Sequence, residues 1–147
     1  NNIVFTTDIN KDLKRRDFTI NAMYMDDKLH VIDEVGGVND IKSHTLRMVG
    51  DPLIRLKEDP LRIIRALRFA LDYELTFDKA LKKAIKKNIK ELSNLNPDKI
   101  KEDIHKIKCQ DKVKIFKYYS SNRIIRNSKS SSRRLINYCI TISNKRD

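Results

Sequence analysis

Glu58-Asp59-Pro60-Leu61-Arg62-Ile63-Ile64-Arg65-Ala66-Leu67-Arg68-Phe69 is the stretch whose reading decides the fold. Asp59-Pro60 is a helix-opening signal, because a carboxylate accepts free backbone N–H groups and proline suits a first helical turn. The spacing predicts a helix from about Pro60 to Asp72. At about 100° per residue from Asp59, Arg62, Arg65 and Arg68 fall near 300°, 240° and 180°. Ile63, Ile64, Leu67, Ala70 and Leu71 fall between about 20° and 140°. One side is apolar and packs; the other carries a winding row of arginines. Asp59 and Arg62 are i,i+3 neighbours whose polar ends can share one space. A carboxylate accepts hydrogen bonds and a guanidinium donates them, so the pair can match the Watson–Crick edge of a base. Arg65 and Arg68 are then available to a triphosphate. The competing reading is a solvated face with a local ion pair. Three arginines in step with no acid between them repel one another, which favours an anion joining them.

Working outward, Gly50-Asp51-Pro52 repeats the opening signal, and Thr76-Phe77-Asp78 and Asn96-Pro97-Asp98 begin helices to about Lys87 and Lys108. Residues 112–119 allow one more short helix. Upstream the pattern is shorter-ranged. Residues 1–10 read as a strand end entering a loop. Residues 12–25 read as partly helical, with Thr19 capping the run Ile20–Met25. Asp26-Asp27-Lys28 is a turn, and Leu29–Ile32 and Thr45–Val49 are short strands. Gly36-Gly37 marks a hinge or tight turn before a helical turn at 39–42. The expected fold is mainly α with a small β-hairpin (α+β). Residues 120–147, rich in Ser, Arg and Asn, read as an atypical, poorly ordered tail.

The 147 residues, with net charge +12, suffice for one ordinary domain or two small helical pieces. No apolar run is long enough to cross a membrane, and no signal peptide is visible. Two cysteines without a CxxC or Cys/His cluster argue against a disulfide scaffold or zinc site, and a reduced, cytoplasmic setting is expected. Residues 1–78 carry 12 Lys+Arg and 14 Asp+Glu; residues 79–147 carry 20 and 6. A polyanion such as RNA would meet the C-terminal half first. The N-terminal half instead holds seven arginines against five lysines, all seven between positions 15 and 68. Arginine's planar fork of donors suits phosphate and base edges.

The second motif is Arg15-Arg16-Asp17-Phe18-Thr19-Ile20-Asn21-Ala22-Met23. Arg16 could hold a phosphate while Asp17 or Asn21 takes a sugar hydroxyl. A surface salt bridge plus a helix cap would explain the same residues.

Together with Asp33-x-x-Gly36-Gly37-x-x-Asp40, Gly50-Asp51-Pro52 and Glu58-Asp59-x-x-Arg62-x-x-Arg65-x-x-Arg68-Phe69, this stretch resembles successive motifs of class II tRNA nucleotidyltransferases. These are the CCA-adding enzymes, related to bacterial poly(A) polymerases. The resemblance covers roughly residues 5–108, and Ile100–Ile107 is a weaker match to a neck-region motif. It implies that Arg16 contacts nucleotide and Asp17 the ribose. It implies that Asp59 and Arg62 act as a protein template for CTP and ATP, with Arg65 and Arg68 as further nucleotide contacts. It makes Asp33, Gly36, Gly37 and Asp40 a flexible element between head and neck. Residues 1–50 would end a nucleotidyltransferase head, 51–119 would form a helical neck, and tRNA would be the partner.

The family's DxD carboxylates, which bind Mg²⁺, have no counterpart in this sequence. No catalytic or metal residue is therefore expected within the chain. It is expected to be a piece of a longer protein or of a split gene, with the missing head segment possible as a separate chain. Alone it should bind nucleotide weakly and add none. A poly(A) polymerase of the same superfamily and a non-catalytic RNA-binding remnant are the alternatives.

Overall fold

The computed structural model describes residues 8–108. The expectations for residues 1–7, 112–119 and 120–147 lie outside the described residues.

Helix α4 (Leu61–Asp72) is the centre of the molecule. Its apolar stripe, Ile63, Ile64, Ala66, Leu67, Ala70 and Leu71, is buried as the periodicity requires. Helix α3 (Pro52–Glu58) precedes it, with Asp51 accepting the Leu53 N–H at 2.8 Å and Pro52 in the first turn. Helix α5 (Lys79–Asn88) packs on α3, and α6 (Pro97–His105) packs on α4. The fully buried Leu56, Ile63, Leu67, Leu81 and Ile100 bring these four helices into one core, which also receives Phe18 and Leu46. Polar ties on this layer include Arg68 to Asp103 (3.4 Å) and the Lys108 N–H to Asp72 (2.9 Å).

The N-terminal part is a thin layer laid over α4. Helix α1 (Ile9–Arg15) leads into an extended Arg16–Phe18 and a 3-10 turn at Thr19–Asn21. Strands β1 (Tyr24–Met25) and β2 (Val31–Ile32) form an antiparallel hairpin, followed by α2 (Gly37–Lys42). Strand β3 (Thr45–Leu46) pairs in parallel with β4 (Thr76–Phe77), in register Thr45 with Thr76 and Leu46 with Phe77.

The α+β class therefore holds, with four local corrections. The hairpin joins β2 to Tyr24–Met25, which had read as helical, and not to the 45–49 strand. Asp26 closes this turn by accepting the Lys28 and His30 N–H groups at 2.9 and 2.8 Å. Thr76-Phe77 is a strand and not a helix start; Asp78 alone caps α5, through the Leu81 N–H at 3.0 Å. Glu74, with φ 55°, turns the chain out of α4 so that this strand can reach β3. Thr19 is not a cap, because its hydroxyl donates to the buried Asp40 at 2.7 Å. Finally, Ile89–Asn94 forms a 3-10 segment that the pattern did not show.

Candidate functional site

Asp17 is placed by its backbone. Its carbonyl accepts the Val49 N–H at 2.9 Å, Phe18 bridges Met48, and the Thr19 N–H donates to the Arg47 carbonyl at 3.0 Å. The Phe18 ring, fully buried, lies 5.3 Å from the Phe69 ring of α4. The Asp17 carboxylate is thereby held over the arginine face of α4.

There it meets two guanidinium groups. Arg62 Nε donates to Asp17 Oδ1 at 3.0 Å, and Arg65 Nε donates to Asp17 Oδ2 at 2.6 Å. Arg62 Nη1 also donates to the Arg55 carbonyl at 2.7 Å and to Glu58 Oε2 at 3.2 Å. Arg65 Nη2 donates to Asp59 Oδ2 at 3.1 Å, while Asp59 Oδ1 accepts the Leu61 N–H at 3.1 Å. Arg55 Nη2 approaches Asp17 Oδ1 at 3.7 Å. Three guanidinium groups thus face three carboxylates, Asp17, Glu58 and Asp59. The side chains of Asp17, Arg62 and Arg65 are 17%, 16% and 23% exposed, against 38% for Asp59. Asp59 offers the more open acceptor beside the more enclosed donors. Burial lowers the Arg65 pKa, but the hydrogen bonds and charges of Asp17 and Asp59 outweigh it and hold that pKa above the usual arginine value. Arg65 therefore carries its positive charge in the site.

The arginine row finds its partners within the chain. Asp59 and Arg62 do not pair with each other; Asp59 pairs with Arg65, and Arg62 with Asp17 and Glu58. The repulsion between arginines is also relieved without a foreign anion, because the chain folds its own carboxylates onto the row. Arg68 leaves the group altogether. It bonds Asp103 on α6 and lies 5.3 Å from the Phe69 ring, tying helices together. Arg16 stands outside as well, 53% exposed and paired with Asp12 at 3.1 Å. Asn21 Oδ1 accepts the Phe18 N–H at 3.2 Å. Beyond Arg65 the same face of α4 runs into an apolar hollow of about 400 Å³, lined by residues including Ile20, Asn21, Phe69 and Tyr73.

The glycine element is closely bonded. Asp33 accepts the N–H groups of Val35, Gly36, Gly37 and Val38, at 2.9 Å for the last three. The Val38 bond is the largest reason its pKa lies below the usual carboxylate value, against an opposing contribution from burial. Gly36 sits at φ +82°, and a Cβ on Gly37 would run into the Thr19 carbonyl oxygen and Met23 Sδ. Asp40 is buried between the Thr19 hydroxyl and Arg47 Nε, the latter at 3.1 Å. These bonds gather the element into a compact cap at the start of α2.

Sequence reasoning did not single out Arg55 or Arg47. Both belonged to the seven arginines concentrated in residues 15–68, which was the available signal.

Residues 1–47 match the poly A polymerase head domain family. The CCA-adding enzyme of Lactobacillus helveticus is 39% identical over 105 residues, which are 71% of this chain and 26% of that protein. The CCA-adding enzyme of Bacillus stearothermophilus, solved in complex with CTP, aligns with a TM-score of 0.67 at 34% identity, over 71% of this chain and 26% of that one. The Thermotoga maritima enzyme, solved with tRNA, aligns with a TM-score of 0.68 at 29% identity, over 80% of this chain and 30% of that one. In sequence and in fold the chain belongs with the CCA-adding enzymes, and it spans about a quarter of the length of the relative matched over most of it.

Proposed function

We propose that this chain is the nucleotide-selecting part of a tRNA nucleotidyltransferase that adds CMP and AMP, drawn from CTP and ATP, to the tRNA 3′ end. The observation that carries this is the face of α4. Asp59 presents a carboxylate more open than the neighbouring Asp17, next to guanidinium groups held in place by Asp17, in a fold shared with an enzyme solved with CTP. Cytosine and adenine each show an exocyclic amine donor beside a ring-nitrogen acceptor. Asp59 suits the first and Arg62 the second. Uracil and guanine show the reverse order and would set acceptor against carboxylate. Binding requires the ligand to exchange for internal partners: Arg62 would release Glu58 and Asp59 would loosen from Arg65. Arg65 is then the nearest cation for phosphate, and Arg16, on the exposed edge, is a second. The neighbouring hollow has the size of a small-ligand cleft. Asp17 serves here by orienting two guanidinium groups, and a ribose hydroxyl would be its further partner. Arg68, bonded to Asp103, supports α4 rather than touching the nucleotide. The Asp33–Asp40 cap would travel as a block if head and neck move, with bending at its flanks.

The reaction is attack of the RNA 3′-hydroxyl on the α-phosphate of the nucleotide, releasing pyrophosphate. Mg²⁺ would activate that hydroxyl and neutralise the triphosphate in the whole enzyme. The described residues do not fit such a site. Among them no group of three or more His, Cys, Asp or Glu is placed to hold a metal, and Asp17 and Asp59 already face guanidinium groups. For tRNA, α5 offers Lys79, Lys83, Lys86 and Lys87 on its exposed side, opposite the buried Leu81, Ala84 and Ile85. No helix among the described residues is long and apolar enough to cross a membrane, and a cytoplasmic site of action fits the proposed substrate.

Equilibrium dialysis of the chain with labelled CTP, ATP, UTP and GTP tests the reading. Tighter binding of CTP and ATP is expected, and equal affinity for all four overturns it. Incubated alone with tRNA lacking its 3′ end, the chain should add nothing. The head-domain match keeps a poly(A) polymerase as the second reading; in the whole protein, tailing of generic RNA instead of limited addition to tRNA would select it.

A further inference from the structure

Arg55 touches both halves of the candidate site. Its Nη1 donates to the Lys14 carbonyl at 2.8 Å, and its Nη2 donates to the Arg16 carbonyl at 3.0 Å and the Arg15 carbonyl at 3.4 Å. These three carbonyls end α1 and immediately precede Asp17, so the guanidinium sits on the negative end of that helix. The same group stands 3.7 Å from Asp17 Oδ1. Through its main chain, Arg55 does a second thing: its own carbonyl accepts Arg62 Nη1 at 2.7 Å, the shortest bond that Arg62 makes. The side chain is only 15% exposed, and its buried Nε has no partner. A buried unmade bond is a cost that the other three bonds must outweigh.

We propose that Arg55 is the positioning residue that sets the distance between Asp17 and the base-reading Arg62, and so sets which bases are accepted. Its side chain fixes the segment that bears Asp17, and its carbonyl fixes the guanidinium of Arg62. Arg55 itself touches no nucleotide. Lysine cannot replace it, because one ammonium cannot span three successive carbonyls with a planar fork. This inference rests on the nucleotide-selecting reading of the α4 face.

The test uses the 147-residue chain and the same four labelled nucleotides. Arg55→Lys keeps the charge and the aliphatic stem. Its preference for CTP and ATP over UTP and GTP should fall about tenfold, the scale of one charge-assisted hydrogen bond, while binding of inorganic tripolyphosphate stays unchanged. Arg55→Ala, if it folds by circular dichroism, should lose the preference entirely. A lysine variant with wild-type preference overturns the inference, as does a uniform loss of affinity for all four nucleotides and tripolyphosphate. A wild-type chain that shows no preference overturns the underlying reading, and this inference with it.

Discussion

Replacing Asp17 by Asn removes the one carboxylate that two guanidinium groups share. Asp17 receives Arg62 Nε at 3.0 Å and Arg65 Nε at 2.6 Å, with Arg55 Nη2 at 3.7 Å. In wild type three arginines meet three carboxylates; in the variant they meet two, and the cluster gains one positive charge. Each close pair near a protein surface has a gross attraction of about 4 kcal/mol, mostly offset by the cost of desolvating both partners. Breaking a fully buried pair from one side costs about 3–5 kcal/mol. Asp17 is 17% exposed. Water screens part of the loss, and the Asn amide oxygen keeps one acceptor, so the expected cost is about 2–3 kcal/mol. For a unit of this size that corresponds to a fall in Tm of about 10–20 °C. Urea unfolding of the full chain, followed by circular dichroism, measures it. The freed charge also gives a prediction of opposite sign: inorganic pyrophosphate should stabilise Asp17→Asn more than wild type. A variant within about 0.5 kcal/mol of wild type, the range of an ordinary surface substitution, would refute Asp17 as the organiser of this face.

Gly37→Ala should cost about 2 kcal/mol or more in urea unfolding, because the new methyl group meets backbone at Thr19 rather than a yielding side chain. Gly36→Ala, with open space around it but φ +82°, should cost only about 1–2 kcal/mol. The Asp33 carboxylate has a lowered pKa in the folded chain, so its stabilisation is present above the unfolded value of 3.8 and is lost as pH falls through the folded pKa. The stability gap between wild type and Asp33→Asn should therefore be constant near neutrality and close only below that value; a gap that closes between pH 5 and 7 would contradict this. Exchanging Lys83, Lys86 and Lys87 for Gln should flatten the salt dependence of tRNA binding, by a slope of about 2–3 in a log–log plot; an unchanged slope would remove α5 from the RNA-facing surface.

What the sequence determined by itself is local and periodic. Asp51-Pro52, Asp59-Pro60 and Asp78 start α3, α4 and α5 because caps and prolines act within one turn of chain. The two faces of α4 follow from the 3.6-residue repeat, and the order of motifs was enough to place the chain among the CCA-adding enzymes. Partnership was not legible, because it depends on which distant segment comes to lie on a given face. Only tertiary structure paired Thr45–Leu46 with Thr76–Phe77 and laid Asp17 across Arg62 and Arg65, 45 and 48 positions away. It also sent Arg68 to Asp103 and put Arg55 under the carbonyls of Lys14 to Arg16. A carboxylate and a guanidinium attract at any sequence separation, so charge pattern along the chain names the candidates while the packing of Phe18 against α4 chooses the pairs.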